Sequence, residues 1–580
     1  MFLMNIRVFK ENFLLVLIIL LSCFLRFFLL DKIPSAIGGD ELIYIITAKS
    51  IFLTGSDLSG TWNPLSIFFF NYPPGEVQAE LPYFLYMPIV GLFNLSLFYA
   101  RATNALLSVF VVFAVYLTTR RFFDKNTAIF ASLIAAINPW FIYIGRTSYE
   151  AISATLFYLL SFYFLTSKNK KHILLAIPFL FLSFYAYIAT KVFFLPFVFV
   201  TVAYSYFFLN KKKFKKEYLI VVFFAIVLTL FFLIMLKTNS SSSRIGEILT
   251  PDNPLITSEV DSIRRSSIQN PLLTIFENKY TVFLRVLTTK LFNSFSFNYL
   301  FVTGDEFFSV WRHGLFYYLD ALFLILGGLF VFAKDKKLFS LFFLLILSAS
   351  LPQIIYKATT DNFTSHLALI FPFMIIFIAY GISKTVALFS NKRYYFAALT
   401  VILLLYFFSL LNFLNIYFFQ HSLRGYFDFP VRTLSSYVSL SKEDGQKILV
   451  YSPSSADIFK KYLFYSNSVR KDTILKLREN INKQENSFNN IKFLSCNETI
   501  NPLKIKEVII YDKECAPLKK DYKKIIIPRL DDGGETYGIY NDQICSEFKL
   551  KRYPSRLKLS DFSFKNLSIK NFCETFITSF

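Results

Sequence analysis

Apolar runs near 20 residues long recur along the first 415 positions of the chain. A run of about 20 apolar residues is long enough to cross the hydrocarbon core of a bilayer as a helix. Because lipid offers the backbone no hydrogen-bond partners, such runs are expected to be helices rather than open strands. The composition agrees, with 55% hydrophobic and only 17% charged residues. The sequence therefore predicts a polytopic α-helical membrane protein.

Eleven membrane-spanning helices are predicted from these runs. They cover residues 13–30, 101–119, 127–144, 151–166, 173–187, 192–209, 218–236, 314–333, 338–355, 367–388 and 395–416. Two long outer segments separate them, at 31–98 and 237–311. The apolar stretch 79–97 is predicted to form one or two helices in the membrane interface, because a further span would invert the charge pattern of every later loop.

The net charge of +22 follows the predicted topology. Lysine and arginine cluster in alternate short loops, as at 120–125, 211–216 and 334–337. An excess of basic residues marks cytoplasmic loops. We therefore predict a multi-pass plasma-membrane protein with a cytoplasmic N-terminus and an extracytoplasmic C-terminus. The basic charge reflects topology and does not indicate a nucleic-acid partner.

The tail has a different pattern, and residues 425–580 are predicted to form a small extracytoplasmic α/β domain that follows a transmembrane domain over 1–416. Short apolar strands are predicted at 447–451, 508–511 and 525–527, and a polar helix at 455–465. No catalytic motif is found there. The tail also holds four of the five cysteines, Cys496, Cys515, Cys545 and Cys573, with no CxxC pair. This spacing disfavours zinc, whereas an extracytoplasmic tail would allow two disulfides whose pairing the sequence leaves open.

Charged residues of both signs collect on the predicted outer face. They are Asp40 and Glu41 after the first span, Arg146 and Glu150 in the next outer turn, Lys191, then Lys279, Asp305 and Arg312 in the long loop, and His366 before the tenth span. Taken alone, the acidic pair is typical of a polar exit loop, and ionisable residues at span ends such as Lys191 and Arg312 are also typical of interface anchors. Their convergence on one face is more informative than any single member.

Glycosyl transfer from a lipid-phosphate sugar fits this set of residues. The reaction needs a carboxylate to remove the proton of an acceptor hydroxyl. It also needs cations beside the departing phosphate, where negative charge develops. Asp40 or Glu41 could supply the base, and Lys191, Arg146 and Arg312 could contact the phosphate. No P-loop, GxGxxG or HExxH motif supports nucleotide or zinc-protease chemistry.

The order of short motifs resembles that of the GT-C-fold membrane glycosyltransferases, in particular the group of protein O-mannosyltransferases and the lipid A aminoarabinose transferase. The motifs are Gly39-Asp40-Glu41, Pro82-Tyr83-Phe84, Arg101 to Asn104, Asn138-Pro139, Ile144-Gly145-Arg146 with Glu150, and Thr190-Lys191; Gly304-Asp305 and His366 are similar to features of bacterial members. The resemblance covers residues 13 to about 210 well and the later spans more loosely. It implies a GT-C-like fold, a polyprenyl-phosphate sugar donor and a site at the membrane surface.

Carried over residue by residue, the resemblance implies Asp40 as catalytic base with Glu41 as its neighbour. Glu150 matches the acid of the second outer loop, and Lys191 matches a lysine that contacts donor phosphate. The chain departs from close bacterial relatives at Leu369, where an arginine often follows the histidine, and this puts the role of His366 in doubt. Asp40, Glu41, Glu150 and His366 are of the ligand types that could hold Mg²⁺ or Mn²⁺, but members of the family differ in metal dependence.

Two other functions are weighed against a glycosyltransferase. A lipid-linked glycan ligase or polymerase would rely on arginines and a histidine in a late outer loop, without an acidic pair after the first span. A transporter or flippase would show internal repeats and charges at mid-membrane depth, whereas the charges here lie at span ends. The sugar and the acceptor, whether protein, lipid or envelope glycan, stay open.

Overall fold

Helices dominate the fold, and a β-sheet forms near the C-terminus. The computed structural model describes residues 6–73, 77–238, 246–357, 362–423, 429–443, 446–496, 507–515, 524–530, 532–564 and 567–579. Part of the predicted outer loop, 239–245, and several stretches of the predicted tail domain lie outside these ranges. The chain divides into two compact units, each built from separate stretches of sequence.

The first unit comprises Met1–Phe28, Leu65–Pro82 and Asn104–Tyr417. The helices that lie wholly or largely in these ranges are α1 (Ile6–Phe27), α4 (Leu97–Phe122), α5 (Lys125–Ile137), α6 (Pro139–Ile144), α7 (Ala151–Leu165), α8 (Lys170–Ala186), α9 (Lys191–Tyr204), α10 (Lys215–Thr238), α11 (Pro254–Ser266), α12 (Leu273–Phe276), α13 (Lys279–Ser294), α14 (Tyr318–Lys334), α15 (Lys336–Ala349), α16 (Leu351–Ile354), α17 (Phe371–Ala387) and α18 (Lys392–Phe419).

A helix, or a pair of helices separated by a single residue, lies over each of the eleven predicted spans. Five described helical stretches are long and apolar enough to cross a membrane: Leu97–Phe122, Lys191–Leu209, Lys215–Leu236, Lys336–Ile354 and Lys392–Phe419. Several shorter apolar helices accompany them. The largely helical fold and the membrane location are supported by these segments, whereas the number and direction of the crossings stay predictions.

The third predicted span consists of two helices. The junction between them shows how the carbonyl groups at a helix end find hydrogen-bond donors in an apolar interior. Asn138 separates α5 from α6, and Pro139 begins the second helix. The last carbonyls of a helix have no partner within it. Arg26 of α1, fully buried, donates to the carbonyls of Ala136 at 2.9 Å and Ala135 at 3.2 Å. A buried guanidinium therefore closes the end of α5.

Close packing of α14 on α17 depends on two glycines. A Cβ added to Gly327 would lie 1.8 Å from the carbonyl oxygen of Phe377, and one added to Gly381 would lie 2.2 Å from that of Phe323. Small residues allow helix backbones to approach closely where lipid supplies no competing hydrophobic drive. These two positions therefore admit only glycine at the present helix spacing.

The second unit comprises Leu29–Pro64, Tyr83–Thr103 and Phe418–Phe580. It combines the tail with two stretches of the first outer segment, which the sequence groups with the transmembrane domain. Its helices are α2 (Gly39–Thr54), α3 (Pro82–Leu92), α19 (Phe429–Glu443), α20 (Ser455–Tyr465), α21 (Ile474–Asn482) and α22 (Ile569–Phe576). Helix α2 packs against α20.

A seven-stranded sheet forms the core of this unit, in the order β2-β3-β1-β4-β6-β5-β7. The strands are β1 (Ile448–Tyr451), β2 (Ser487–Phe488), β3 (Ile491–Leu494), β4 (Val508–Asp512), β5 (Lys524–Pro528), β6 (Glu535–Tyr540) and β7 (Thr578–Ser579). Strand β1 pairs in parallel with β3 and β4, and the remaining pairs are antiparallel. All four residues of β1 are buried, as expected for a parallel strand covered on both faces.

The predicted tail strands correspond to β1, β4 and β5, and the predicted helix at 455–465 is α20. The tail cysteines form two disulfides, Cys496–Cys515 and Cys545–Cys573. These bridges close loops of 19 and 28 residues. By the chain-entropy model, each bridge stabilises the unit by about 3 kcal/mol.

The disulfides predict a specific thiol pattern. Alkylation of the unreduced, denatured protein should label Cys23 and none of the four tail cysteines, as read by peptide mass spectrometry. Replacing Cys545 and Cys573 together with serine should lower the free energy of unfolding by about 3 kcal/mol. Cys23→Ser is the control and should leave thermal unfolding unchanged. Labelled tail cysteines in the native protein would contradict the pairing.

Candidate active site

The acidic pair begins helix α2, and its two carboxylates lie in different environments. Glu41 is fully buried, and its Oε2 accepts a hydrogen bond from the Gly38 amide at 2.8 Å. Its Oε1 lies 3.6 Å from Nε of Arg101, which is buried as well. Asp40 is exposed to solvent in the first turn of the same helix. The helix N-terminus favours negative charge at both positions. Glu41 is therefore held in place by the protein, and Asp40 can meet a ligand.

Residues 34–37, which precede the Gly38 cap of this helix, are held by side chains that lie far away in the sequence. Arg101 donates to the carbonyls of Pro34 at 2.7 Å and Ala36 at 2.5 Å. Arg432 of α19 donates to the intervening carbonyl of Ser35, and the Tyr465 hydroxyl at the end of α20 accepts from the Ile37 amide at 3.0 Å.

We call Arg101, Arg432 and Tyr465 the acidic-loop clamp. The clamp satisfies consecutive backbone groups that have no helix or strand to pair with. It therefore fixes the point from which α2 and Asp40 start.

Arg432 and Tyr465, the two clamp residues that lie in the tail, are both protonated at neutral pH. Burial lowers the pKa of the Arg432 guanidinium to about 10, which leaves it charged. Burial raises the pKa of the Tyr465 phenol, which keeps its proton. Arg432 also donates to the carbonyl of Phe562 at 2.8 Å and lies over the ring of Phe564 at 4.4 Å. The clamp is thus anchored in the tail as well as in the acidic loop.

Lys191, predicted to contact donor phosphate, is buried in the first unit and paired with Glu80. Its Nζ lies 2.8 and 3.0 Å from the two carboxylate oxygens and 3.1 Å from the carbonyl of Phe184. Four aromatic rings lie within 5.6 Å of the ammonium: Phe70, Phe184, Tyr185 and Phe232. In this conformation Lys191 stabilises Glu80, and a phosphate contact would require that ion pair to open.

Glu80 is a site residue that the sequence reasoning missed. It is fully buried, and the Tyr72 hydroxyl donates to its Oε1 at 2.8 Å. Burial raises the pKa of its carboxyl, and the neighbouring Lys191 ammonium opposes that shift. The one signal in the sequence is an acid at the start of an otherwise apolar run. Such a residue needs a buried partner, because an isolated charge in an apolar setting is costly.

Arg146 has partners that favour a structural role over the predicted phosphate contact. Its side chain is fully buried and donates to the carbonyls of Leu25 at 3.0 Å and Arg26 at 3.1 Å, and to the Tyr417 hydroxyl at 3.1 Å. Because helix C-terminal carbonyls need donors, Arg146 closes the end of α1. Glu150 is half-buried and precedes α7, where its carbonyl accepts from the Ser153 hydroxyl.

Three further candidates of the first unit, Asp305, Lys279 and His366, lie in three different environments. Asp305 is buried and accepts from the amide and hydroxyl of Thr364, each at 2.7 Å, so it ties two outer segments together. Burial raises the pKa of its carboxyl. Lys279 forms an exposed ion pair with Asp252, and such pairs contribute little to stability. His366 is half-buried among the rings of Tyr187, Tyr356 and Phe363.

Arg312 is the exposed member of the three predicted phosphate contacts. Its guanidinium lies over the Trp311 ring at 4.3 Å from the centroid. Stacking on an aromatic face orients a guanidinium while its N–H groups remain available for bidentate contact with phosphate. Its backbone has φ of 54°, which is uncommon for a residue other than glycine.

The predicted site residues are divided between the two units. Asp40 and Glu41 belong to the second unit, whereas Glu150, Arg146, Lys191, Lys279, Asp305, Arg312 and His366 belong to the first. Within the described ranges, no group of three or more His, Cys, Asp or Glu side chains could hold a metal ion. The predicted Mg²⁺ or Mn²⁺ ligands therefore stay a sequence-based hypothesis.

A family model matches part of the chain. Residues 81–235 match the model described as dolichyl-phosphate-mannose-protein mannosyltransferase. This stretch includes Arg101, Arg146, Glu150 and Lys191, and it overlaps the region where the motif order is best preserved. The match confirms the predicted resemblance to membrane glycosyltransferases that use polyprenyl-phosphate sugars. No curated protein sequence matches the chain.

Solved structures similar to this chain include two membrane enzymes. The oligosaccharyltransferase AglB from Archaeoglobus fulgidus, in complex with an inhibitory peptide and a dolichol-phosphate, is 12% identical with a TM-score of 0.46, over 92% of this chain and 75% of that one. ArnT from Cupriavidus metallidurans in the apo state is 11% identical with a TM-score of 0.46, over 91% and 98% of the two chains. ArnT from the same organism bound to undecaprenyl phosphate is 12% identical with a TM-score of 0.45, again over 91% of this chain and 98% of that one.

The clamp predicts a local change in backbone protection. Tyr465→Phe removes the hydroxyl that accepts from the Ile37 amide, a hydrogen bond worth about 1 kcal/mol, so exchange at 34–41 should speed up about fivefold. Hydrogen–deuterium exchange of the full chain in detergent measures this change. Tyr462→Phe, on the same helix, is the matched control and should leave 34–41 unaffected. Equal exchange in both variants would rule out the contact.

The Lys191–Glu80 pair predicts coupled stability effects. Lys191→Met and Glu80→Gln should each lower the free energy of unfolding by about 3–5 kcal/mol, because each change leaves its partner charged and buried. The double variant should recover much of this loss, as measured by thermal unfolding in detergent. Single variants as stable as the parent would contradict the pairing. If Lys191 contacts donor phosphate, the double variant should fold and yet use donor poorly.

Proposed function

We propose that this protein is a membrane glycosyltransferase that moves a sugar from a polyprenyl-phosphate donor to an acceptor hydroxyl, with Asp40 as the general base. The observation that carries the proposal is the contrast within the acidic pair. Glu41 is buried, accepts a hydrogen bond from the Gly38 amide and forms an ion pair with Arg101, while Asp40 is exposed in the same helical turn. The family match over residues 81–235 supports the class of reaction and a lipid-phosphate donor.

The chemistry follows from the placement of one accessible carboxylate. Asp40 accepts the proton of the acceptor hydroxyl while that oxygen attacks the anomeric carbon of the donor sugar. The bond between the anomeric carbon and the phosphate oxygen breaks, and polyprenyl phosphate leaves with the bonding electrons. Asp40 then returns its proton to solvent. Glu41 acts as a positioning residue, because its oxygens are committed to the helix N-terminus and to Arg101.

Negative charge grows on the departing phosphate and requires a cation. Arg312 is our candidate for this contact, since its guanidinium is exposed and stacked on Trp311. Lys191 is a second candidate only in a conformation in which its pair with Glu80 opens. Arg146, with its guanidinium bonded to backbone carbonyls, is assigned to the structure of the first unit instead.

We place the reaction on the extracytoplasmic face of the plasma membrane. Two disulfides in the tail support this location, because disulfides form and persist in oxidising compartments. Asp40 belongs to the same compact unit as these bridges. The alternation of basic loops supports the same orientation, with the N-terminus in the cytoplasm.

Asp40→Asn should reduce sugar transfer by about 100-fold or more, because general-base catalysis typically contributes that much. The measurement is release of polyprenyl phosphate from polyprenyl-phosphate mannose by the full-length protein in proteoliposomes. Mass spectrometry of envelope glycans, with and without the protein, identifies the product and the acceptor.

Asp472→Asn, another exposed acid of the second unit, is the matched control and should retain activity. Asp40→Asn should unfold within a few degrees of the parent temperature, because an exposed charge at a helix N-terminus contributes at most about 1 kcal/mol. Full activity of this variant would remove Asp40 as the base. Movement of an intact lipid-linked sugar across the bilayer without transfer would instead favour a flippase.

A further inference from the structure

A cavity of about 510 Å³ opens within the second unit, beside the acidic-loop clamp. Aromatic rings line it at the end of α20 and at Phe562, Phe564 and Phe572, and serine hydroxyls line it from one side of α19. Ser436 and Ser439 are half-buried in this wall, and Tyr465 and Phe564 are half-buried across from them. A concave pocket that combines apolar surface with hydroxyl groups is typical of a small-molecule site.

The serine hydroxyls of α19 present acceptors, not donors, to this cavity. Ser436 donates its proton to the carbonyl of Arg432 at 3.0 Å, and Ser439 donates to that of Ser435 at 2.8 Å. A hydroxyl has one proton to give and two lone pairs with which to accept. With their protons committed to the helix, both oxygens can only accept hydrogen bonds from an occupant. An occupant that bonds to this wall must therefore donate hydrogen bonds to it.

The charges around the cavity favour a neutral occupant. Arg432 and Asp31 are the ionisable residues of its lining, one of each sign. The Arg432 guanidinium already donates to the carbonyls of Ser35 and Phe562 and lies over Phe564. A phosphate offers acceptors only, and it would meet the lone pairs of Ser436 and Ser439. Sugar hydroxyls donate and accept, and the C–H faces of sugar rings pack on aromatic side chains.

The cavity also lies a short distance along the chain from Asp40. Tyr465 forms part of its wall, and the same residue accepts a hydrogen bond from the Ile37 amide. Ile37 precedes Asp40 by three residues, and three residues span at most about 11 Å. This distance is within the length of a ligand of two or three sugar rings.

We propose that this cavity binds the acceptor of the reaction, and that the acceptor is a neutral, hydroxyl-rich carbohydrate. The proposal rests on the function proposed above, because it takes Asp40 as the base that activates the bound hydroxyl. It identifies the acceptor by its chemistry, as an uncharged glycan with free hydroxyls. Ser436 and Ser439 then act as binding residues, and Arg432 and Tyr465 join the bound acceptor to the acidic loop.

Protection of an engineered cysteine tests the site without any transfer reaction. In a Cys23→Ser background of the full-length protein in detergent, Leu440→Cys places a thiol in the cavity wall and leaves both serine hydroxyls in place. Mannotriose and maltotriose should slow its alkylation by N-ethylmaleimide about fivefold, the protection given by a ligand at about four times its dissociation constant. Leu475→Cys, an exposed position on α21, is the matched control and should react at an unchanged rate.

Mannose 6-phosphate and a serine-rich peptide are the competing probes. Protection of Leu440→Cys by either of them, and by neither trisaccharide, would overturn the assignment to a neutral glycan. Equal slowing at Leu475→Cys, or no slowing by any probe, would also overturn it. Ser439→Trp, which fills the cavity, should abolish the protection.

Asp40→Asn separates this proposal from the proposed function. Protection should persist in that variant while transfer is lost. If Asp40→Asn remains fully active, the function fails while the binding result stands by itself.

Discussion

The acidic loop, residues 34–41, depends on two buried guanidiniums. They supply the hydrogen bonds that a helix or strand would otherwise supply to its backbone carbonyls. Arg101 and Arg432 donate to three consecutive carbonyls, those of residues 34, 35 and 36. A buried backbone group without a partner costs about as much as a lost hydrogen bond. The positive charge of Arg101 is balanced by Glu41, which in turn accepts from the amide of Gly38. Ion pair, backbone turn and helix start thus form one connected set of contacts.

A rigid support of this kind has a clear use beside an exposed carboxylate. Catalytic groups work best when neighbouring contacts fix their position and cost no reorganisation during the reaction. Asp40 lies one residue from a side chain that is held by a hydrogen bond on one oxygen and by an ion pair on the other. Its backbone position is therefore determined, whereas its side chain keeps access to solvent. In an acid pair of this kind, one carboxylate can serve the structure and the other the chemistry.

The helices were predictable from the sequence because a 20-residue apolar run has few alternatives in a bilayer. In the tail, β1, β4 and β5 were predictable from continuous apolar runs. Strand β6, with its glycine and polar positions, was missed, as were the four-residue strand β3 and the two-residue strands β2 and β7. Short or interrupted strands take their conformation from their neighbours in the sheet rather than from a pattern of their own.

The contacts of the candidate site were less predictable. Arg432 and Tyr465 meet residues about 400 positions earlier in the chain, and no local signal announces such pairings. Glu80 was missed for the same reason, because its partner Lys191 is 111 residues away. The sequence identified Lys191 and Arg146 as charged residues at helix ends, but their burial and their partners depend on the packing of several helices.

Because the second unit is built from separate stretches of sequence, its assembly depends on the order in which the chain is synthesised. Its first stretches emerge early, and Glu41 and Arg101 are both made within the first fifth of the chain. Arg432 and Tyr465 follow more than 300 residues later, on the order of tens of seconds at cellular rates of synthesis. Until then the acidic loop has only half of its support. A truncated or stalled chain would insert its helices and still lack a fixed Asp40, so the tail makes completion of the chain a condition for assembly of the site.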